Sequence, residues 1–273
     1  MRPTPDLAAP SFSAAVSLAT FAGERATAVI PPGWEQGRAT FGGVVLGQAL
    51  AAARRTLPEP RPCLAIVAAF PAPVGAGEVE LRLRPLRHGR AVSSVHVELR
   101  QGHDVGCVAL VTFGNPRPSA VDVPPPARPT LPPPDEVPPM VPRGAGGPEF
   151  TRFLDYRLGF GARPFSGEDV REIGGWCRFR DEPGPLGEEH VLGLVDAWPS
   201  PAVSRLPTRA PAASITWSIE LLPIEPDPAP DGWWLYHAEL EAARDGYAHA
   251  AARLWSPAGR LAAFSRQAVA VFG

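Results

Sequence analysis

Polar residues stand inside otherwise apolar stretches in the last third of the chain. Asp196 ends the run Leu-Gly-Leu-Val, Ser214 and Thr216 open SITWSIELL, and Gln267 interrupts FSRQAVAVF. An unpaired carboxylate in such a context is costly to bury. An acid, a hydroxyl and an amide can together hold and polarise one water, the acid acting as general base. The same residues also suit a capping or turn acid with two satisfied core polar groups, and residue type alone leaves both readings open. Strand alternation predicts that Ser214 and Thr216 project to one sheet face. Other chemistries lack their residues. There is no G-x-S-x-G elbow, and none of the 6 histidines forms a pattern with serine and acid. His190 and Asp196 fall on different sides of a helix. No H-x-x-x-H, C-x-x-C or acidic cluster proposes a metal, and Gly42, Gly43 and Gly47 have the wrong spacing for a dinucleotide loop. The expectation is a site without metal or cofactor.

The elements that must position these residues are readable from periodicity. TFGGVVLGQALAAARRTL carries apolar residues near helical spacing and ends before Pro58. Its glycines at 42, 43 and 47 predict close approach by a neighbouring backbone or ligand. After it come the strand candidates CLAIVAAFPAP, GEVELRLRPLRHG, AVSSVHVELRQ and VGCVALVTFG. The second half repeats the order: a helix in EEHVLGLVDAWPSPAV, interrupted near Pro199, then strands in SITWSIELLP, WWLYHAELEAARDG, YAHAAARLWSP and LAAFSRQAVAVF. Trp217, Trp233, Trp234 and Trp255 read as sheet packing before ligand stacking.

Residues 85–114 and 242–273 are two versions of one pattern: a turn, an alternating strand, a Gly-centred turn and a strand closing on Phe-Gly. Gly89 and Gly246 share their spacing with Gly102 and Gly259, which indicates an internal duplication. A long helix and a mostly antiparallel sheet, repeated once, is α+β. A helix wrapped by a curved sheet is the hotdog arrangement, so the chain is expected to be a double hotdog. The expected division is 1–114, a proline-rich linker 115–149, and 150–273, with the linker laid over the surface because proline cannot join a sheet interior. The proposed polar set lies in the second copy and the Gly-rich helix entrance in the first, so one composite site per chain is expected. At Gln267 the first copy offers Leu110 or Val108, depending on the offset.

Composition bounds the partners. A net charge of -2 and a pI near 6.3 give no reason to expect nucleic acid. All 26 basic residues are arginine, which fits codon bias in a GC-rich genome, with phosphate binding as the functional alternative. Three widely spaced cysteines suit a reducing cytoplasm. The first residues lack the charged and apolar regions of a signal peptide, and no apolar run approaches a membrane span. The expectation is a soluble, cytoplasmic protein.

GRATFGGVVLGQALAAA resembles the FGG-x-x-x-GQAL helix entrance of the acyl-CoA thioesterase II family, bacterial TesB-like enzymes with a double hotdog fold. FPAPVGAGEVELRLRPLRHGRAVSSVHVELRQ is similar to its following strands, and LVDAW, SITWSIELLP and SRQAVAVF to its three catalytic segments. The resemblance covers most of the chain outside the linker and implies an acyl-CoA substrate hydrolysed without a covalent intermediate. It implies that Asp196, Ser214 (with Thr216 the second candidate) and Gln267 orient the attacking water. Backbone N–H groups near Gly42 and Gly43 are the expected oxyanion donors, and Gln48 is a candidate for lining the cleft. The wording after Asp196 departs from the family's. A hydratase-like hotdog enzyme and a non-catalytic acyl-CoA-binding hotdog are the alternatives, and pairing of hotdog sheets between copies is the expected route to any homo-oligomer.

Overall fold

The computed structural model describes residues 10–140, 147–224 and 228–273. The first nine residues, on which the leader reading partly rests, and part of the linker lie outside the described residues.

Among the described residues each half contributes six strands to the main sheet and one long helix. In the first half α1 (Phe12–Ala15) leads into β1 (Leu18–Ala22) and β2 (Arg25–Ile30). A small ribbon of β3 (Glu35–Gln36) and β4 (Ala39–Thr40) precedes α2 (Gly42–Arg54). β5 (Cys63–Ala69), β6 (Gly77–His88), β7 (Val92–Gln101) and β8 (Asp104–Gly114) follow. The second half has β9 (Leu154–Gly161), β10 (Glu172–Phe179), α3 (Glu188–Asp196), β11 (Ala212–Leu221), β12 (Trp234–Arg244), β13 (Tyr247–Trp255) and β14 (Leu261–Val271).

Among the described residues the main sheet runs β1-β2-β6-β7-β8-β5-β11-β14-β13-β12-β10-β9, every neighbour antiparallel. The order is a palindrome about the β5–β11 pair, so each strand has a counterpart at the same distance from the centre. This is the double hotdog, with α2 and α3 packed together inside the curved sheet. The hairpin turns at Gly102, Gly246 and Gly259 all use positive φ, which glycine adopts without a Cβ clash. The eight strands and two long helices expected from periodicity are present. β1, β2, β9 and β10 were not anticipated; the first half was read there only as an extended start.

The two helices lie antiparallel at very close range. A Cβ added to Gly43 would sit 2.8 Å from the Gly193 Cα, so glycine on both sides lets the backbones touch. At one end Arg54, in the last turn of α2, bonds Glu188 at 2.5 Å and Glu189 at 3.4 Å in the first turn of α3. Acid at a helix N-terminus and base at a C-terminus both oppose the helix dipole favourably. At the other end the N-terminus of α2 meets Asp196.

The proline-rich segment crosses the outer face of the second half. Trp176 Nε1 donates to Pro132 O at 2.9 Å and Trp255 Nε1 to Pro126 O at 3.1 Å. Val137 is buried with Trp176, Leu235, Trp255 and Leu261 beneath it. Among the described residues the outer face of the first half has no such cover; it carries the ladder Arg25–Glu80–Arg82 and the pair Arg100–Glu98. Trp217, Trp234 and Trp255 are core residues as expected. Trp233 is only partly buried, under the guanidinium of Arg178.

Candidate active site

Asp196 and Gln267 meet. Gln267 Nε2 donates to Asp196 Oδ1 at 3.2 Å, and the Gly43 N–H donates to Oδ2 at 2.9 Å. Asp196 closes α3, Gln267 is an inward residue of β14, and Gly43 opens α2 from the other half, so the carboxylate joins both copies. Burial dominates its environment and pushes its pKa up to about 7, against the opposing pull of the Gly43 N–H, Gln267 and the Gly42 N–H. The residue as a whole is half-buried, with its carboxylate enclosed by these donors. A carboxylate poised near neutrality suits a general base.

Gly42 leaves room for this acid: a Cβ there would fall 2.9 Å from Asp196 Oδ2. The expectation that the Gly42 and Gly43 amides wait for an oxyanion is corrected in one respect. The Gly43 N–H is already spent on Asp196, because α2 aims its N-terminus at the carboxylate.

Ser214 and Thr216 do not share a sheet face. A bulge interrupts the β11–β14 register, so Ser214 lies opposite Val269 while Thr216 lies opposite Ala268. Directly paired residues point the same way, and Val269 faces the core with Gln267, two residues before it. The extra residue at Ile215 therefore turns Ser214 to the Asp196 side and Thr216 to the outside. Thr216 lines an outer cleft of about 280 Å³ with Ser218, His249 and Arg266. Among the described residues Ser214 makes no hydrogen bond to Asp196 or Gln267.

Gln48, expected to line the cleft, does not reach the surface. It is fully buried in α2, and its Nε2 holds the Ala15 carbonyl at 2.9 Å, anchoring α1 over the helix pair. The first-half counterparts of Gln267 also differ from expectation. Leu110 is exposed on the outer face, and the inward neighbours of β8 are Ala109 and Val111, so a one-residue offset had selected the wrong face. Neither is polar, and the first copy still lacks a counterpart to Gln267.

The fold assembles one Ser–His–acid contact that spacing did not show. Ser13 Oγ lies 2.9 Å from His190 Nε2 and donates to Glu182 at 2.6 Å, and Glu182 lies 3.2 Å from the same His190 nitrogen. Nδ1 accepts the Gly187 N–H at 3.0 Å. Serine and acid thus share one ring nitrogen, whereas a relay needs them on opposite nitrogens. The group clasps α1 to α3 instead. The cysteine thiols offer no nucleophile either. All three are buried, and burial pushes the Cys107 and Cys177 pKa values up to about 12.

Residues 30–114 match the model of the acyl-CoA thioesterase N-terminal domain, and residues 133–271 that of the C-terminal domain. Among solved structures, a hot dog fold protein from Alicyclobacillus acidocaldarius is 22% identical with a TM-score of 0.83, covering 96% of this chain and 98% of that one. A tesB protein of Mycobacterium avium subs paratuberculosis is 19% identical with a TM-score of 0.77, over 96% and 98%. An acyl-CoA thioesterase II of Mycobacterium marinum is 18% identical with a TM-score of 0.75, again over 96% and 98%. These likenesses carry the fold. No curated protein matches the chain. No helix among the described residues is long and apolar enough to cross a membrane.

Proposed function

The chain belongs to the acyl-CoA thioesterase family and is a thioester hydrolase; on that premise we propose that it hydrolyses acyl-CoA to free acid and CoA through one water held by Asp196, Ser214 and Gln267. The observation that carries this reading is the Asp196 carboxylate, buried between the Gly43 amide and Gln267 with its pKa near 7. Asp196 takes a proton from the water as its oxygen attacks the thioester carbonyl. Gln267 spends one N–H on the acid, and its carbonyl oxygen accepts from the same water. Ser214, on the inner face, is the third partner. Collapse of the tetrahedral intermediate expels the CoA thiolate, which takes up the proton.

The same reading divides the chain at 1–114, 115–149 and 150–273 and sets it in a reducing cytoplasm, consistent with three unpaired buried cysteines. Pairing between copies would use the outer face of the central strands, where Val67 and Leu110 are exposed. Purified protein is expected to release free thiol from acyl-CoA. Asp196→Ala and Gln267→Ala should each lose most of that rate, about 100-fold or more. Full activity in both variants would sink the assignment.

A further inference from the structure

The Gly43 amide that holds Asp196 belongs to a helix opening on two glycines, the residue type with the most backbone freedom to lose. Phe41 restrains that opening. As the N-cap of α2 it makes no side-chain cap hydrogen bond, and its own N–H is fixed by the Trp34 carbonyl at 2.8 Å. Its ring lies across Gly43: a Cβ there would meet Phe41 Cε1 at 2.8 Å. The ring and the Gly193 backbone share the space that a side chain at 43 would fill. Phe41 therefore bears directly on the residue whose N–H meets the acid.

Phe41 is itself gripped from the second half. A single helical turn, Glu149–Phe153, follows the linker. Three-ten geometry brings side chains three apart onto one side, and Phe150 and Phe153 have that spacing. Phe150 stacks on Phe41 with ring centroids 4.2 Å apart and planes at 13°, while Phe153 stacks on Trp34 at 4.1 Å and 11°. Trp34 and Phe41 stack in turn at 6.0 Å. Phe41 and Trp34 are fully buried and Phe150 nearly so. The turn's own charges, Glu149 and Arg152, pair with each other at 3.6 Å, with Arg152 over the Phe153 ring.

We propose that Phe150 is a positioning residue for the hydrolysis: through Phe41 it holds the Gly43 amide on Asp196, so the turn that ends the linker sets the state of the base. The inference rests on the thioesterase reading above. The Gly43 N–H favours the ionised carboxylate. Loosening that bond raises the pKa of the acid above about 7 and leaves less base at neutral pH. The titratable groups around Asp196 are Tyr156 on β9, Tyr236 on β12 and, coupled to both, Cys177 on β10. Burial raises all three, Cys177 to about 12, so they stay protonated while Asp196 titrates.

The test follows kcat/KM against pH in Phe150→Ala and Phe150→Leu, using whichever of acetyl-CoA, octanoyl-CoA and palmitoyl-CoA the parent chain hydrolyses fastest. Phe113→Leu, a buried ring beneath Arg54 at the far end of α2, is the packing control. In Phe150→Ala the midpoint of the profile should rise from about 7 to about 8, a roughly tenfold loss at pH 6 that narrows to within about threefold at pH 9. Phe150→Leu, which keeps most of the bulk and folds where alanine fails, should move the midpoint about half as far. Carbon-13 titration of the Asp196 carboxyl, its signal identified by its loss in Asp196→Asn, should shift in step. Phe113→Leu should lower Tm and leave the midpoint in place. A lower Tm with an unmoved midpoint in the Phe150 variants assigns that ring to packing and overturns the proposal, leaving the thioesterase reading intact. Thiol release from none of the three substrates by the parent chain overturns the thioesterase reading, whereas the carboxyl titration still decides whether Phe150 holds the acid.

Discussion

Asp196 binds its proton more tightly in the folded chain than in the unfolded one, because burial outweighs the donors that favour its charge. Its pKa rises from 3.8 to about 7, so folding takes up a proton between those values. Stability conferred by the neutral acid is therefore lost as pH rises through about 7, and the full cost of the buried charge is present above it. Asp196→Asn should be more stable than the parent chain at pH 8, by about 2 kcal/mol after allowing for donors left facing an amide, and no more stable at pH 4. Urea denaturation at the two pH values measures this. The base must be ionised to work, so kcat/KM should climb through about pH 7 and level off above it. A flat profile between pH 5.5 and 8.5 would contradict the assignment of Asp196 as base. The bulge separates the two hydroxyls. Ser214→Ala should lower kcat, while Thr216→Ala on the outer face should leave kcat within about twofold.

At the scale of elements, the approach of α2 to α3 couples stability to chemistry through adjacent glycines with different consequences. A methyl on Gly43 would strike the Gly193 backbone at 2.8 Å. Gly43→Ala should therefore cost about 1–3 kcal/mol, read as a lower urea midpoint. A methyl on Gly42 would instead strike the Asp196 carboxylate at 2.9 Å, the end of a side chain that can rotate. Gly42→Ala should spare most of the stability and lose most of the activity, because the acid is displaced from its Gly43 and Gln267 partners. Equal losses in both variants would show that the helix contact has only a packing role. The Arg54–Glu188 pair at the opposite helix ends explains why the duplicated arrangement holds only one such carboxylate: that junction is an ion pair.

For the whole molecule, the proposed site draws on both halves. Asp196, Ser214 and Gln267 all come from the second half, yet the amide that holds the acid comes from α2 in the first. Residues 150–273 produced alone should release no thiol from acyl-CoA, and supplying residues 1–149 in the same cell should restore release. Activity in the second half alone would refute the composite site. The strap has a different task. It covers an apolar outer cluster on the second half, whereas the first half wears charge on its outer face. Val137→Asp would place a charge in that cluster, and the expected outcome is a chain that binds a hydrophobic dye while its helix pair stays folded.

Local pattern determined much of this protein. Alternation and turn glycines identified eight strands, helical spacing identified α2, and the repeat of those elements identified the duplication. The strands that escaped carry weaker signals: β9 and β10 hold glycines at Gly159, Gly174 and Gly175 that interrupt alternation, and β1 is largely exposed on both faces. Residue types in apolar surroundings also marked Asp196 and Gln267. Only the tertiary structure decided what each polar group faces. One bulge residue reverses Ser214 relative to Thr216, a period-2 consequence that no composition encodes. The Gly43–Asp196 bond joins elements 153 positions apart. Gln48, in a string that resembles a cleft entrance, turned out to anchor α1, because its side chain answers to the neighbour that packs on it. Periodicity is local and survives in the sequence, whereas hydrogen-bond partners are set by which backbones come to lie together.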